Sequence, residues 1–499
     1  MKHLVALVAT SIALGALVLA GCHRDLSLAP RCELRPDLPG CSDASADSTG
    51  DGDETDAQPN SDAQDSADGA EATATSDVTS DAVDEAASDS GGDGSVDAGA
   101  DTSICAAGER RCASGKAQAC NSTRSGWDEE VCALGCEEGA CVEVRDLVGG
   151  AGHFCALLSN GTLRCWGSNA YGAIGAGAEA FWKPVEIPGV KDVVQVGIGG
   201  AASMVRLKDG TLKWWGWVSL PTGGAPVEKV PPTNVPGVAG VTDMAFSGYH
   251  ACVRFADGTV KCWGENDYGQ LGDGTTISVY PPSFVTPRAL VSPIALYVGD
   301  RQTFALLAGS PSEGRGWGNS SYSELGVDIS SWSKPYATEP VPTYGYATQI
   351  AARYSPTCAR YADGTVKCSA ENTRGEAGDG TKERRWTPVL VKGLSGVTEV
   401  RVGVLSACAL LSGGTVTCWG SNTYGQLGDG TQTDSAVPVA VPSAALSGVR
   451  RIAIGSGTTC ALIGKSRIKC WGSNGAGALG ANLDPATNES RLTPLEVVW

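Results

Sequence analysis

Gly248 to Thr275 reads GYHACVRFADGTVKCWGENDYGQLGDGT: an apolar hairpin turned at D-G-T, then a glycine-rich loop. The same text recurs as HFCALLSNGTLRCWGSNAYGAIGAG from His153, TCARYADGTVKCSAENTRGEAGDGT from Thr357, ACALLSGGTVTCWGSNTYGQLGDGT from Ala407 and TCALIGKSRIKCWGSNGAGALG from Thr459. Two copies are degenerate, SMVRLKDGTLKWWG from Ser203 and TFALLAGSPSEGRGWGN from Thr303. The first hairpin positions Cys155, Met204, Cys252, Phe304, Cys358, Cys408 and Cys460 are separated by 49, 48, 52, 54, 50 and 52 residues. A period near 50 made of short strands and glycine turns predicts an all-β fold, a seven-bladed β-propeller over residues 144–499. A solenoid would need polar capping repeats, and the array begins and stops on ordinary repeat text. TPLEVVW at Thr493 matches TPVLV at Thr387, and VRDLVGG at Val144 matches TEVRVG at Thr398, so the ring can close end to end.

In CALLSNGTLRC the turn Ser159-Asn160-Gly161 reads as a three-residue loop with glycine in the left-handed position. Counting outward sets Cys155 opposite Cys165. The spacing repeats in Cys252 with Cys262, Cys358 with Cys368, Cys408 with Cys418 and Cys460 with Cys470. Directly opposed residues are close enough for a disulfide. The degenerate copies lose both cysteines together, as bonded partners should: Met204 faces Trp214, and Phe304 faces a hairpin ending at Gly316. Each bridge closes a short loop and stabilises by roughly 2–3 kcal/mol at most, so the role is structural.

Residues 1–21 read as an export signal, with Lys2 ahead of an apolar run from Leu4 to Leu19 that is too short for a comfortable membrane span. Leu19-Ala20-Gly21-Cys22 resembles the lipobox of bacterial lipoproteins, which implies lipid on Cys22 and attachment to the membrane through that lipid only. His23 at the next position favours an outer-membrane address. All 19 cysteines are then accounted for: Cys22 by lipid, Cys32 and Cys41 as a possible pair in segment 22–41, six between Cys105 and Cys141, and ten in the hairpins. Even counts in an exported chain read as a disulfide framework.

Residues 42–103 are almost wholly Asp, Ala, Ser, Thr and Gly, with 18 acidic residues and no Lys or Arg. This composition predicts a disordered linker with a root-mean-square reach of roughly 40–50 Å. The chain's net charge of −18 equals the linker's, so the remainder is close to neutral and lacks the basic excess of a nucleic-acid surface. The module 104–143 is too small for a useful core, and its six cysteines predict three bridges among 15 possible connectivities. Zinc is disfavoured there by the absence of His and by an oxidising compartment. The module resembles short cysteine-rich stalk elements of bacterial surface lipoproteins.

The unit H-x-C-A-L, D-G-T-V, C-W-G-x-N, G-Q-L-G-D-G-T is similar to the repeat of the regulator of chromosome condensation family, a seven-bladed propeller. CWGSNTYGQLGDGT from Cys418 is nearly the consensus, whereas Ser369-Ala370 replaces W-G in one copy. The resemblance implies the fold. It does not fix a function, since that family includes a nucleotide-exchange factor, ubiquitin-ligase domains and a β-lactamase inhibitor.

No catalytic constellation is visible. Outside the leader only His153 and His250 remain, both at one repeat position two residues before the hairpin cysteine, and neither stands with a nucleophile. The GDGT loops at Asp273, Asp379 and Asp429 supply too few oxygens for calcium and read as turns. No cofactor and no metal are expected. Trp166, Trp215, Trp263, Trp317, Trp419 and Trp471 belong to the repeated W-G and should pack blades. Trp182, Tyr280, Trp332 and Trp386 fall at one variable loop offset and are candidates for a partner-binding rim, since aromatic anchors dominate interfaces. The same residues can equally cover their own blade edges. The sequence thus reads as a monomeric, lipid-anchored propeller at the cell envelope that binds a protein or a glycan and no nucleic acid. Two alternatives stay open: an enzyme or enzyme inhibitor using one propeller face, and a passive scaffold.

Overall fold

A computed structural model describes residues 104–177, 180–218, 227–309, 312–330, 333–334, 336–442, 444, 446–483 and 489–499. The export signal, Cys22, Cys32, Cys41, the acidic linker and Trp332 lie outside them.

The repeat text folds as a meander. In the first copy the strands Val144–Gly149, His153–Leu158, Leu163–Ser168 and Ala180–Glu186 pair in that order. Gly161 takes φ +76° and Leu158 N–H donates to Thr162 O at 2.9 Å, which sets Cys155 against Cys165. Seven such sheets follow one another over 144–186, 193–234, 241–285, 293–342, 347–390, 397–440 and 449–496. Six have four strands; in the third, the bridges Cys262↔Val285 and Gly264↔Val279 stand in for the outer strand. The protein is a seven-bladed β-propeller, and each blade is built from one continuous stretch of chain.

All five intact hairpins are bridged as their spacing predicts. Cys155 bonds to Cys165, Cys252 to Cys262, Cys358 to Cys368, Cys408 to Cys418 and Cys460 to Cys470, with Cα–Cα distances of 4.0–4.1 Å. Met204 pairs with Trp214 and Phe304 with Gly316, so bulk replaces the disulfide in the degenerate blades. The ring of Phe304 fills the space a Cβ on Gly316 would need, 2.9 Å away.

Blades adhere through two repeated devices. Near the channel, Gln195 donates to Met244 O at 2.9 Å and accepts from Met244 N–H at 3.2 Å, and Gln349 grips Val400 in the same way. Further out, the W-G tryptophan of one blade donates its indole N–H to a loop carbonyl of the blade before. Trp215 reaches Ala173 O, Trp317 reaches Gln270 O, Trp419 reaches Glu376 O and Trp471 reaches Gln426 O, all at 2.9 Å. Trp166 closes the ring onto Ala478 O at 3.0 Å, joining blade 1 to blade 7. The six W-G rings are at most 2 % exposed. Each latch needs a bare backbone beneath the ring: a Cβ on Gly480 would lie 2.8 Å from Trp166, and Gly480 holds φ +63°.

Blade 5 shows how a lost tryptophan is made good. Ser369 Oγ donates to Ser323 O at 2.6 Å, keeping the latch, and Tyr344 fills the vacated space with its hydroxyl bonded to Ser369 Oγ. Tyr344 lies over Gly326 just as the tryptophans lie over their glycines.

The cysteine-rich module forms a three-stranded sheet of Arg110–Ala113, Lys116–Cys120 and Trp127–Val131 with a small two-stranded ribbon. Its connectivity, open in the sequence, is Cys105–Cys120, Cys112–Cys136 and Cys132–Cys141.

If the Trp166 latch closes the ring, Trp166→Phe leaves Ala478 O buried without a donor and should lower unfolding stability by about 1–3 kcal/mol. Urea denaturation of the oxidised protein measures this. A midpoint identical to wild type would place closure elsewhere.

Candidate binding faces

A meander propeller has two unlike ends. One end holds the hairpin turns and the connections between blades; the other holds the short loops after the inner strands and the glycine-rich loops. The cysteine-rich module sits on the hairpin end: Lys465 in the turn of blade 7 pairs with Glu130 and Glu143 at 3.1 Å each, and Asn160 in the turn of blade 1 donates to Glu137 at 2.8 Å. Ser159 N–H adds a bond to Glu143 O at 2.8 Å. The chain therefore enters from the hairpin end, leaving the loop face on the opposite side.

The loop face is set by the asparagine of C-W-G-x-N, a role that the repeat text does not reveal. Asn266 Oδ1 accepts Leu271 N–H at 2.9 Å while its amide donates to Thr275 O and Ile277 O at 3.2 and 3.1 Å. Asn372 and Asn422 repeat the pattern, and all three are fully buried. The GDGT turns behave as turns: Asp273, Asp379 and Asp429 each accept from the N–H and hydroxyl of the threonine two residues on.

These fixed loops present aromatic rings. Tyr171 stacks on Trp217 at 5.5 Å, Tyr322 meets Tyr354 at a 38° tilt with ring centroids 4.9 Å apart, and Arg301 lies 5.0 Å over Tyr268. Tyr249 and Tyr424 are each 37 % exposed. Arg353 reaches from blade 5 to blade 7, donating to Ile454 O at 3.4 Å with Asp300 4.0 Å away.

The predicted rim residues occupy different surroundings. Trp182 lies on the outer strand of blade 1 against Gly477 of blade 7, and its carbonyl accepts Asn482 N–H at 2.8 Å. Trp386 lies on the outer strand of blade 5 with the Arg384 guanidinium 4.4 Å above its ring. Tyr280 lines a cavity between blades 2 and 3. All three are half-buried, and no ring contact joins any two of them among the described residues.

Both histidines work as inter-blade links. His250 Nε2 meets Thr303 Oγ1 at 2.8 Å, and that hydroxyl gives its proton to Gln270 O at 2.8 Å, so Nε2 must be the donor. His153 is held in the same way by Ser203 Oγ at 2.9 Å, which donates to Ala173 O at 2.7 Å. Burial pushes both imidazoles down to about 3, so they are neutral at physiological pH. Burial moves Glu324 the other way, up to about 7; its carboxylate accepts from Tyr322 N–H and Asn319 at 2.7 Å each.

Fold and loops together define a seven-bladed propeller of latched, W-G-bearing repeats. Models described as the regulator of chromosome condensation (RCC1) repeat match residues 257–306 and 413–462, and, for a second model of that description, 144–173, 241–270 and 397–426. These stretches of the seven-bladed β-propeller match the RCC1 repeat. Among solved structures it is similar to Prp20p of Saccharomyces cerevisiae, at 19 % identity and TM-score 0.55 over 62 % of this chain and 80 % of that one. Human WBSCR16 is similar at 19 % identity and TM-score 0.55, over 65 % and 88 % of the two chains. At this identity the likeness shows the fold alone. No curated protein matches the chain.

The buried imidazoles give a pH signature. A histidine that titrates near 6.5 unfolded and near 3 folded takes up its proton only in the unfolded chain across that window. Stability is full above pH 6.5 and falls on acidification by up to about 1.4 kcal/mol per pH unit per histidine. The double variant His153→Gln with His250→Gln, which installs the residue blade 4 carries as Gln302, should flatten this acid limb between pH 6.5 and 4 relative to wild type. Glu324 runs opposite, its protonated form being favoured by the fold below pH 7, and is common to both proteins. Thermal unfolding across pH measures the difference, and parallel curves would refute the assignment.

Proposed function

We propose that the chain is a cell-envelope lipoprotein that presents its propeller as a non-enzymatic protein-binding module. The observation that carries this reading is the polarity of the molecule: the N-terminal side joins the hairpin end, and the aromatic loop face is turned away from it. A lipid on Cys22 and the acidic linker would then tether the propeller to the membrane through its N-terminal side and leave the loop face free for a partner. Tyrosine and arginine are the side chains that anchor protein interfaces, and here Tyr268 and Tyr424 stand on loops held by the buried Asn266 and Asn422, with Arg301 over Tyr268. Both histidines are committed to linking blades, which speaks for binding over catalysis. Prp20p has binding properties to Gsp1p and histones, an instance of this fold engaging proteins.

Two results are expected. Full-length protein captured from envelope extracts should hold a specific protein partner that the double variant Tyr268→Ala with Tyr424→Ala releases. Retention by that variant, and loss in Trp182→Ala with Trp386→Ala instead, would move the site to the outer strands. Cys22→Ala should shift the protein from the detergent to the aqueous phase on phase separation, and unchanged partitioning would refute the anchor.

A further inference from the structure

Each inner strand ends on the loop face and turns back into the second strand of its blade. Three residues before that second strand stand Gly150, Gly199, Ser247, Gly299, Gly403 and Gly455 in six of the blades. The N–H of each closes the turn onto the carbonyl three residues on, at 2.7–3.2 Å. Neighbouring backbones meet here: a Cβ on Gly199 would lie 2.2 Å from Ser247 O, and one on Gly299 2.6 Å from Arg353 O. These positions ring the mouth of the channel, and blade 5 alone puts a long side chain in the ring, that of Arg353.

Arg353 runs across the mouth. Its Nη1 donates to Ile454 O of blade 7 at 3.4 Å, past blade 6, and its Nε lies 4.0 Å from Asp300 of blade 4. Bracing the ring does not account for it, since six blades close the same turn with glycine or serine and 3.4 Å is long for an N–H···O bond. The side chain is 11 % exposed, so the guanidinium has given up most of its water. Its Nε and Nη2 have no hydrogen-bond partner among the described residues and remain open to solvent. A charge withdrawn from water is stable when paired and hydrogen-bonded, and the guanidinium fork matches a carboxylate with two parallel bonds. Asp300 does not fill that fork: it stands beyond hydrogen-bond distance, and burial holds its carboxyl above the usual range, which weakens it as a counter-charge. Arg301 is occupied by the Tyr268 hydroxyl at 3.2 Å. Tyr249 adds a donor at the mouth, since its hydroxyl would lie 3.7 Å from a Cβ on Gly200 in the mouth loop of blade 2, and burial keeps that phenol protonated. A phosphate dianion would meet Asp300 with twice the charge of a carboxylate.

We propose that the loop-face mouth of the channel is a carboxylate-binding site, in which the Arg353 guanidinium holds the carboxylate and the Tyr249 hydroxyl stands beside it. A free organic acid and an acidic side chain of a protein bring the same chemistry to this site. It rests on the mouth's own geometry, apart from the protein-docking reading, and survives if that reading fails.

The test follows the thermal unfolding midpoint of full-length protein against propionate, the blocked peptide acetyl-Ala-Glu-Ala-amide and inorganic phosphate, all at fixed ionic strength. A ligand of the folded state raises the midpoint saturably. Propionate should do so for wild type and not for Arg353→Gly, which installs the residue five other blades carry and so keeps the fold. Arg353→Lys, which keeps the charge and loses the fork, should need roughly tenfold more propionate. A peptide that acts as propionate does places the carboxylate on a protein, and a response to propionate alone places it on a free acid; both support the site. No partner protein is present, so the outcome is independent of the capture experiment. Absence of a response in wild type, or an equal response in Arg353→Gly, overturns the proposal. Phosphate acting at tenfold lower concentration than propionate makes the mouth a phosphate site and overturns it as well.

Discussion

The ring depends on one bond repeated: an indole N–H given to the carbonyl of a glycine-rich loop in the preceding blade. A blade alone is a small antiparallel sheet with both faces apolar, and it gains stability only by burying those faces against neighbours. Apolar burial has no direction, so it does not by itself set the height or tilt of one sheet on the next. The latch supplies that registration. It seats a ring of the largest side-chain type over a glycine and fixes it by a single acceptor, so each blade has one position against the last. Since the carbonyl sits in the loop that also builds the loop face, the bond that holds the core together shapes the surface available to a partner.

This explains why some of the molecule was legible in the sequence and some was not. Hairpin register is local: a three-residue turn sets Cys155 against Cys165, and the count transfers to every intact copy, as far as Cys358 with Cys368 and Cys460 with Cys470. Seven periods give seven blades. The latch is different, because its partners are 42 to 47 residues apart within the array and 312 apart at the closure from Trp166 to Ala478. The repeat text shows that a tryptophan and a glycine loop recur, yet not that one blade's tryptophan belongs to the previous blade's loop. The replacement of W-G by Ser369-Ala370 reads as simple loss. Its compensation by Tyr344 comes from a connecting segment with no repeat signature, so no periodicity flags it.

The faces were legible only in part. Loops at one repeat offset share an end of the ring, which is why Trp182, Tyr280 and Trp386 read as a rim. An offset fixes the end and leaves the radius open, and the two tryptophans fall on outermost strands. The tyrosines nearer the channel belong to the repeat itself, in N-x-Y-G, and so read as blade furniture. In a repeat protein a side chain can be both: Gln270 caps Tyr268 N–H from beneath at 2.9 Å, and the capped loop then holds the phenol at the surface.

Degeneracy is therefore the informative feature of such a chain. Where a copy keeps every element, its residues are accounted for by the needs of the ring: cysteines to staple, asparagine to fold the loop, tryptophan to latch, glycine to admit it. A copy that departs must meet the same needs by other means or leave a gap. Blade 5 meets them, with Ser369 and Tyr344 restoring both the bond and the volume. Blade 4 fills its hairpin with Phe304. Blade 2 replaces its staple by Met204 and Trp214 and lacks the loop text, and the indole N–H of Trp214 has no hydrogen-bond partner among the described residues. Buried tryptophan without an acceptor costs stability, and at this hairpin position the ring's own repeat offers a disulfide-bonded cysteine five times over. That contrast within one molecule shows which of the repeat's needs blade 2 meets by other means and which it leaves unmet.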